Sequence, residues 1–166
     1  MVAVGAVALV LALATVGGLG ARVGSALDGT DGGLGARADE WRVAVAVIGE
    51  HPLTGVGPEG YRIAAPAHID ADYARHHGRD EVVDRAHNGV LDVAAAGGVP
   101  AAVAYVGLLG LVLAACVRTL RRPSPPVAVG IAVALVAWMA QQLAAFPIAE
   151  VDPVAWLFAG ALVEHH

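Results

Sequence analysis

Apolar and polar positions in this chain separate into blocks. From Val2 to Leu19 no side chain is charged, and at a rise of about 1.5 Å per residue such a stretch matches the hydrocarbon thickness of a bilayer. Met1 leads directly into apolar residues without the basic n-region of a signal peptide, so 1–20 predicts a transmembrane helix. Between Ala21 and Ala86 the pattern reverses: seven arginines and eleven acids alternate with glycines, which hydrocarbon would not accept. Apolar sequence returns from Val99 to Val117. Gly97 and Gly98 interrupt whatever precedes it, and Pro100 stands where a helix can begin. RTLRRPSPP then closes this second span, and a third runs from Val127 to about Phe146. FPIAEVDP makes a short acidic turn, and Val154 to Val163 is either a half-helix or a tilted last segment.

The pattern therefore predicts an all-α, polytopic membrane protein: a transmembrane helix over 1–20, a long loop over 21–98, and C-terminal transmembrane helices over 99–166. Arg118, Arg121 and Arg122 form a short basic connection of the kind kept in the cytoplasm. The long loop is then extracytoplasmic despite its arginines, because loops beyond about 60 residues largely escape the positive-inside bias. The expected location is the inner (plasma) membrane, crossed several times.

Inside the loop, Asp39 to Ile48 reads as a short interfacial helix with Trp41, Ala44, Val45 and Ile48 on one face. Gly49 and Pro52 close it. Trp41 suits the headgroup level, and Arg37, one turn earlier, points toward the same region. Gly55, Gly57 and Gly60 in HPLTGVGPEGYR have the spacing of a dinucleotide-binding turn, but Pro58 lies inside it and no preceding strand is predicted. The segment reads as a structural turn, with phosphate approach to its amides as the alternative. Asp84 resembles an N-cap for a helix starting near Arg85, which would put His87 and Asn88 in its first turn. Asn88-Gly89 also fits a hairpin, but the alanines up to Ala96 favour helix.

Composition agrees with the block pattern: 57% of residues are hydrophobic, mostly Ala, Val and Leu, a mixture suited to close helix packing in lipid. A net charge of −5 argues against a nucleic-acid surface. The single cysteine, Cys116, lies in an apolar run and reads as a packing residue. His76-His77 lacks a paired ligand motif, so no metal and no cofactor is expected.

Three stretches carry a resemblance. GARADEWRVAVAVIGEHPLTGVGPEGY presents Arg, Trp four residues on, an apolar helix, then Pro-Leu-x-Gly-x-Gly and an aromatic. AHNGVLDVAAAGGVPAAVAYVGLLG presents His-Asn-x-x-Leu leading through small residues and a glycine pair into a span. The last apolar segments complete the order. Together they resemble the C-terminal part of the O-antigen ligase and polymerase superfamily, whose members have roughly ten or more spans. This chain is accordingly expected to be a fragment or a truncated member. The family's arginine from an earlier periplasmic segment has no counterpart here.

The resemblance implies glycan transfer from a polyprenyl-diphosphate-linked donor to the hydroxyl of an acceptor glycan or glycolipid, ligase-like or polymerase-like. It implies His87 as the group that positions or deprotonates the acceptor and Arg37 as the ligand of the departing diphosphate. Arg62 and Arg85 are weaker candidates for that task, Trp41 lies at the lipid surface, and Asn88 fixes the helix or touches sugar. Taken alone, His87 fits a surface or packing histidine. The partners implied are the bilayer, the two glycans and other membrane helices. From a different class, the chain reads as a non-catalytic packing segment with Gly107, Gly110 and Ala114 as interface positions.

Overall fold

The computed structural model describes residues 34–78, 83–143 and 151–164; the first predicted span lies outside them. Every regular element among the described residues is helical. The order is α1 (Leu34–Glu50), α2 (Tyr61–Ala64), a 3₁₀ turn (Ala65–His68), α3 (Ala71–His77), α4 (Gly89–Arg121), α5 (Pro126–Gln142) and α6 (Asp152–Glu164). The chain divides into two units, 1–39 and 40–166. Arg37 falls in the first unit, and the helices from Glu40 onward pack within the second.

The predicted interfacial helix is present and longer than expected, but its buried face is different. Val43, Ala44 and Val47 are buried, while Val45 is 60% exposed and Trp41 and Ile48 are only partly covered. Val43 and Val47 are four apart and pack with Tyr61, Tyr73, Val83, Ala86 and Ala95 in one apolar cluster. Protein, not lipid alone, therefore covers this helix. The sequence pattern could not distinguish two adjacent faces that are both apolar. Asp70 caps α3 by accepting from the Tyr73 amide at 2.7 Å, and the His77 ring stacks on Tyr73 at 4.1 Å.

The central feature is a break inside α4. Gly98 has φ +77°, and the residues on either side are helical. In an unbroken helix the Ala95 carbonyl would accept from Val99 N–H, and the Ala96 carbonyl would accept from residue 100. Residue 100 is Pro and has no N–H. Instead, Ala95 O accepts from Val56 N at 2.8 Å, Ala96 O from Gly57 N at 3.0 Å, and the Val99 amide donates to Pro52 O at 2.7 Å. The Pro-Leu-Thr-Gly-Val-Gly turn thus fills the gap that Gly98 and Pro100 open. Both chains must come close: a Cβ on Gly55 would stand 2.5 Å from Ala95 O, and one on Gly98 2.5 Å from the Leu53 carbonyl carbon. The amides of Val56 and Gly57 are spent on these carbonyls, so the structural-turn reading of this segment holds.

Beyond the break, α4 is long and apolar enough to cross a membrane. It ends at Arg121, where Ser124 Oγ donates to the freed Thr119 carbonyl at 2.9 Å. α5 begins at Pro126 and is a 17-residue apolar helix; the expected continuation to Phe146 enters 144–150, outside the described residues. α6 has 13 residues. The three helices meet over small side chains, with Ala115, Cys116, Ala132, Ala155 and Ala159 buried, as expected where close backbone approach drives packing. Cys116 is a packing residue here. Asp152 Oδ1 accepts from Trp138 Nε1 at 2.9 Å and from Gln142 Nε2 at 3.0 Å, joining α5 to α6.

Gly98→Ala must place a side chain in a left-handed conformation and against Leu53, and is expected to cost at least about 1–2 kcal/mol. Gly107→Ala, at a helical position with nothing within 4 Å, is expected to be neutral or stabilising by up to about 1 kcal/mol. Thermal unfolding in detergent, followed by circular dichroism, checks the pair.

Candidate functional site

His87 and Asn88 stand at the corner where the loop enters α4. The helix starts at Gly89 with Asn88 as its N-cap, not near Arg85 with Asp84 as cap. Asn88 Oδ1 accepts from Val90 N at 3.1 Å and Leu91 N at 3.2 Å, and its Nδ2 donates to Leu143 O at 3.1 Å. An Asn side chain satisfies first-turn amides as well as Asp does, and here it also reaches the end of α5. Both ends of the Asn88 amide hold backbone, which is the helix-fixing alternative read from the sequence. Gly89 packs closely on Gln142: a Cβ there would stand 2.8 Å from Gln142 Oε1, so that side chain would have to shift.

His87 lies just outside the helix with φ +52°. This left-handed conformation is uncommon for a residue other than glycine and directs attention to function when it occurs. Its Nδ1 is 3.1 Å from Glu40 Oε2, with the carboxylate side chain only 12% exposed. Glu40 comes from α1, next to the partly buried Trp41. Sequence reading missed Glu40, treating it as a polar residue away from the apolar face. It is separated from His87 by a long stretch of chain, and no local spacing links the two. Arg37 belongs to the first unit, in the opening turns of α1.

Next to this corner lies a cavity of about 180 Å³, lined in part by Pro58, Glu59, Tyr61, Asp84, Arg85 and Asp92. Gly60 N donates to Gly57 O at 3.1 Å across a turn with Pro58 in its second position and Glu59 at φ +62° in its third, the pattern of a type II turn. Among the described residues, Glu59 and His87 are the non-glycine residues with positive φ. Glu59 is within 3.8 Å of Arg85 and 3.9 Å of Arg62. These exposed ion pairs contribute little stability, but they set both candidate arginines beside a carboxylate.

Asp92 reaches back to accept from Ala86 N at 2.8 Å, which ties the loop just before His87 onto α4. Its other oxygen, Oδ2, and the Tyr61 hydroxyl are both buried with no hydrogen-bond partner among the described residues. Leaving such groups unpaired costs about 1–3 kcal/mol each. Burial raises the Asp92 carboxyl above the usual carboxylate range, partly countered by the Ala86 amide, Arg85 and His87. Asp92 lies before the Gly98 break, outside the long apolar segment. Burial, followed by the charge of Asp92, raises the Tyr61 phenol.

A family model described as O-antigen ligase matches residues 1–106, well over half of the 166-residue chain. The chain belongs to the O-antigen ligase family. No curated protein matches it. Arg37, Glu40, Tyr61, His87, Asn88 and Asp92 all fall within the matched portion, whereas α5 and α6 lie beyond it. At the level of the family, membership assigns a membrane protein of glycan transfer.

A carboxyl whose folded value is raised favours the fold when protonated and withdraws that support as pH rises through the raised range. Asp92→Asn keeps an Oδ1 acceptor for Ala86 and removes the charge that burial opposes. In thermal melts at pH 7 the variant is therefore expected to match or exceed the wild type. The difference should close as the pH is lowered toward the ordinary carboxylate range.

Proposed function

We propose that this chain transfers a glycan from a polyprenyl-diphosphate-linked donor to an acceptor hydroxyl on the extracytoplasmic face of the inner membrane. The observation that carries the reading is the 3.1 Å approach of Glu40 Oε2 to His87 Nδ1 in a chain of this family. A carboxylate this close to one ring nitrogen holds the orientation of the imidazole, and the other nitrogen is assigned to the acceptor hydroxyl. The acceptor oxygen attacks the anomeric carbon. A new C–O bond forms as the bond from that carbon to the diphosphate oxygen breaks; the acceptor's proton passes to His87, and the lipid diphosphate leaves with the electron pair.

Arg37 is assigned to the leaving diphosphate. Its guanidinium stays charged and can hydrogen-bond two oxygens together. Arg62 and Arg85 are weaker candidates because Glu59 offsets their charge. Trp41 would contact the lipid part of the carrier.

Glycan transfer assayed in membranes that supply donor and acceptor is expected to fall about 10²–10⁴-fold in His87→Ala. Glu40→Gln, which cannot stabilise the imidazolium, should lose at least about tenfold, and Arg37→Lys a similar factor. Wild-type turnover by His87→Ala would remove the reading.

The same proposal sets 21–98 outside the membrane, 1–20 and 99–166 as its membrane portions, and Arg118, Arg121 and Arg122 in the cytoplasm. Thr54→Cys, at an exposed position, should react with a membrane-impermeant maleimide added to the outside of intact spheroplasts. Pro123→Cys should react only after lysis. The reverse pattern would invert the topology.

A second reading is a packing segment without chemistry. It is favoured by Gly107 and Gly110, which have nothing within 4 Å on α4, and by exposed Ala114. Under that reading the His87, Glu40 and Arg37 variants all transfer normally.

A further inference from the structure

We propose that the cavity beside His87 is a subsite for the acceptor's sugar ring, recognised as a neutral polyhydroxyl group. The assignment of the ring to the acceptor rests on the glycan-transfer reading; the choice of a neutral polyhydroxyl rests on the cavity. Tyr61 is 6% exposed, and its hydroxyl has no hydrogen-bond partner among the described residues. Asp92, whose Oδ2 is in the same condition, lines the same space. The phenol can donate or accept and the carboxyl can accept, which matches the paired donor and acceptor character of sugar hydroxyls.

Charge excludes the donor's diphosphate. Among the described ionisable side chains lining the cavity, Glu59, Asp84 and Asp92 are acids and Arg85 is the one base. Even with Asp92 protonated, two carboxylates outnumber one guanidinium. A polyanion entering here would meet like charge. At about 180 Å³ the space is also smaller than the roughly 300 Å³ at which pockets for drug-sized ligands begin, so it suits one ring and not a lipid or a long oligosaccharide. Asp92 also holds the amide of Ala86, the residue before His87, which ties the cavity wall to the loop that carries the imidazole.

The test uses the full chain in detergent with methyl glycosides of common hexoses and N-acetylhexosamines as probes, read by saturation-transfer NMR. Inorganic pyrophosphate serves as the competing anion. At least one glycoside is expected to bind the wild type and to resist displacement by pyrophosphate. Tyr61→Phe, which removes one oxygen and keeps the ring, should weaken that binding about tenfold. Asp92→Asn, which keeps the Ala86 bond and replaces an acceptor with a donor, should do likewise, while Gly107→Ala, with nothing within 4 Å on the apolar part of α4, should bind the glycoside as the wild type does. The subsite is overturned if no glycoside binds, if both Tyr61→Phe and Asp92→Asn bind normally while retaining wild-type helicity, or if pyrophosphate displaces the sugar. Transfer in membranes separates the two proposals. Activity that is insensitive to Tyr61→Phe removes the subsite and leaves the transferase, whereas Tyr61-dependent binding without transfer removes the transferase and leaves a sugar-binding cavity.

Discussion

The structure turns on the hydrogen bonds released where α4 breaks. A buried backbone carbonyl without a partner is costly, and more so near a bilayer, where water does not substitute. Gly98 and Pro100 release the carbonyls of Ala95 and Ala96, and the turn before Tyr61 supplies their donors from Val56 and Gly57. This exchange fixes two things together. It sets the axis along which the long apolar part of α4 departs, and it anchors the turn that carries Pro58, Glu59 and Tyr61 against the first half of that helix. The cavity wall and the start of the apolar helix are products of the same few bonds.

Much of this was legible from local chemistry. The glycine pair followed by proline announced an interruption, and the prolines after Arg122 announced a stop, because each residue changes what its own backbone can do. The alanine-rich composition anticipated small-residue helix contacts. What could not be read were choices settled at a distance. Asp84 and Asn88 are both good caps, and Asn88 prevails because it can also reach Leu143 O, a partner no local pattern reveals. Val45 and Val43 are equally apolar, and which one is buried depends on Tyr61, Tyr73 and Val83 arriving from elsewhere in the chain. Glu40 looked like a solvated charge until the fold brought it to His87.

Charge is distributed unevenly around the corner formed by His87. Glu40, from α1, stands against the imidazole. Among the described residues the neighbouring cavity is rich in acids, and the arginine that lines it, Arg85, lies beside Glu59. Under the proposed function this surplus of acids matters, because a cavity that repels diphosphate would not trap the donor in the acceptor's place. Selectivity of this kind comes from charge alone and does not depend on which sugar is involved.

The helices beyond the family-matched portion also bear on this corner. Asn88 spends its amide oxygen on the first turn of α4 and its nitrogen on the carbonyl just past α5, so a shift at the end of α5 would disturb the residue next to His87. Gln142 reinforces the junction: it is fully buried, lies against Gly89, and donates to Asp152 at the start of α6. A histidine held in a left-handed conformation needs surroundings that over-determine it. Here the constraint comes from Asn88 on one side of the residue and from the Ala86 amide, held by Asp92, on the other. The C-terminal helices therefore act as a brace for the site. Their contribution is to keep the His87 backbone where its side chain can meet Glu40.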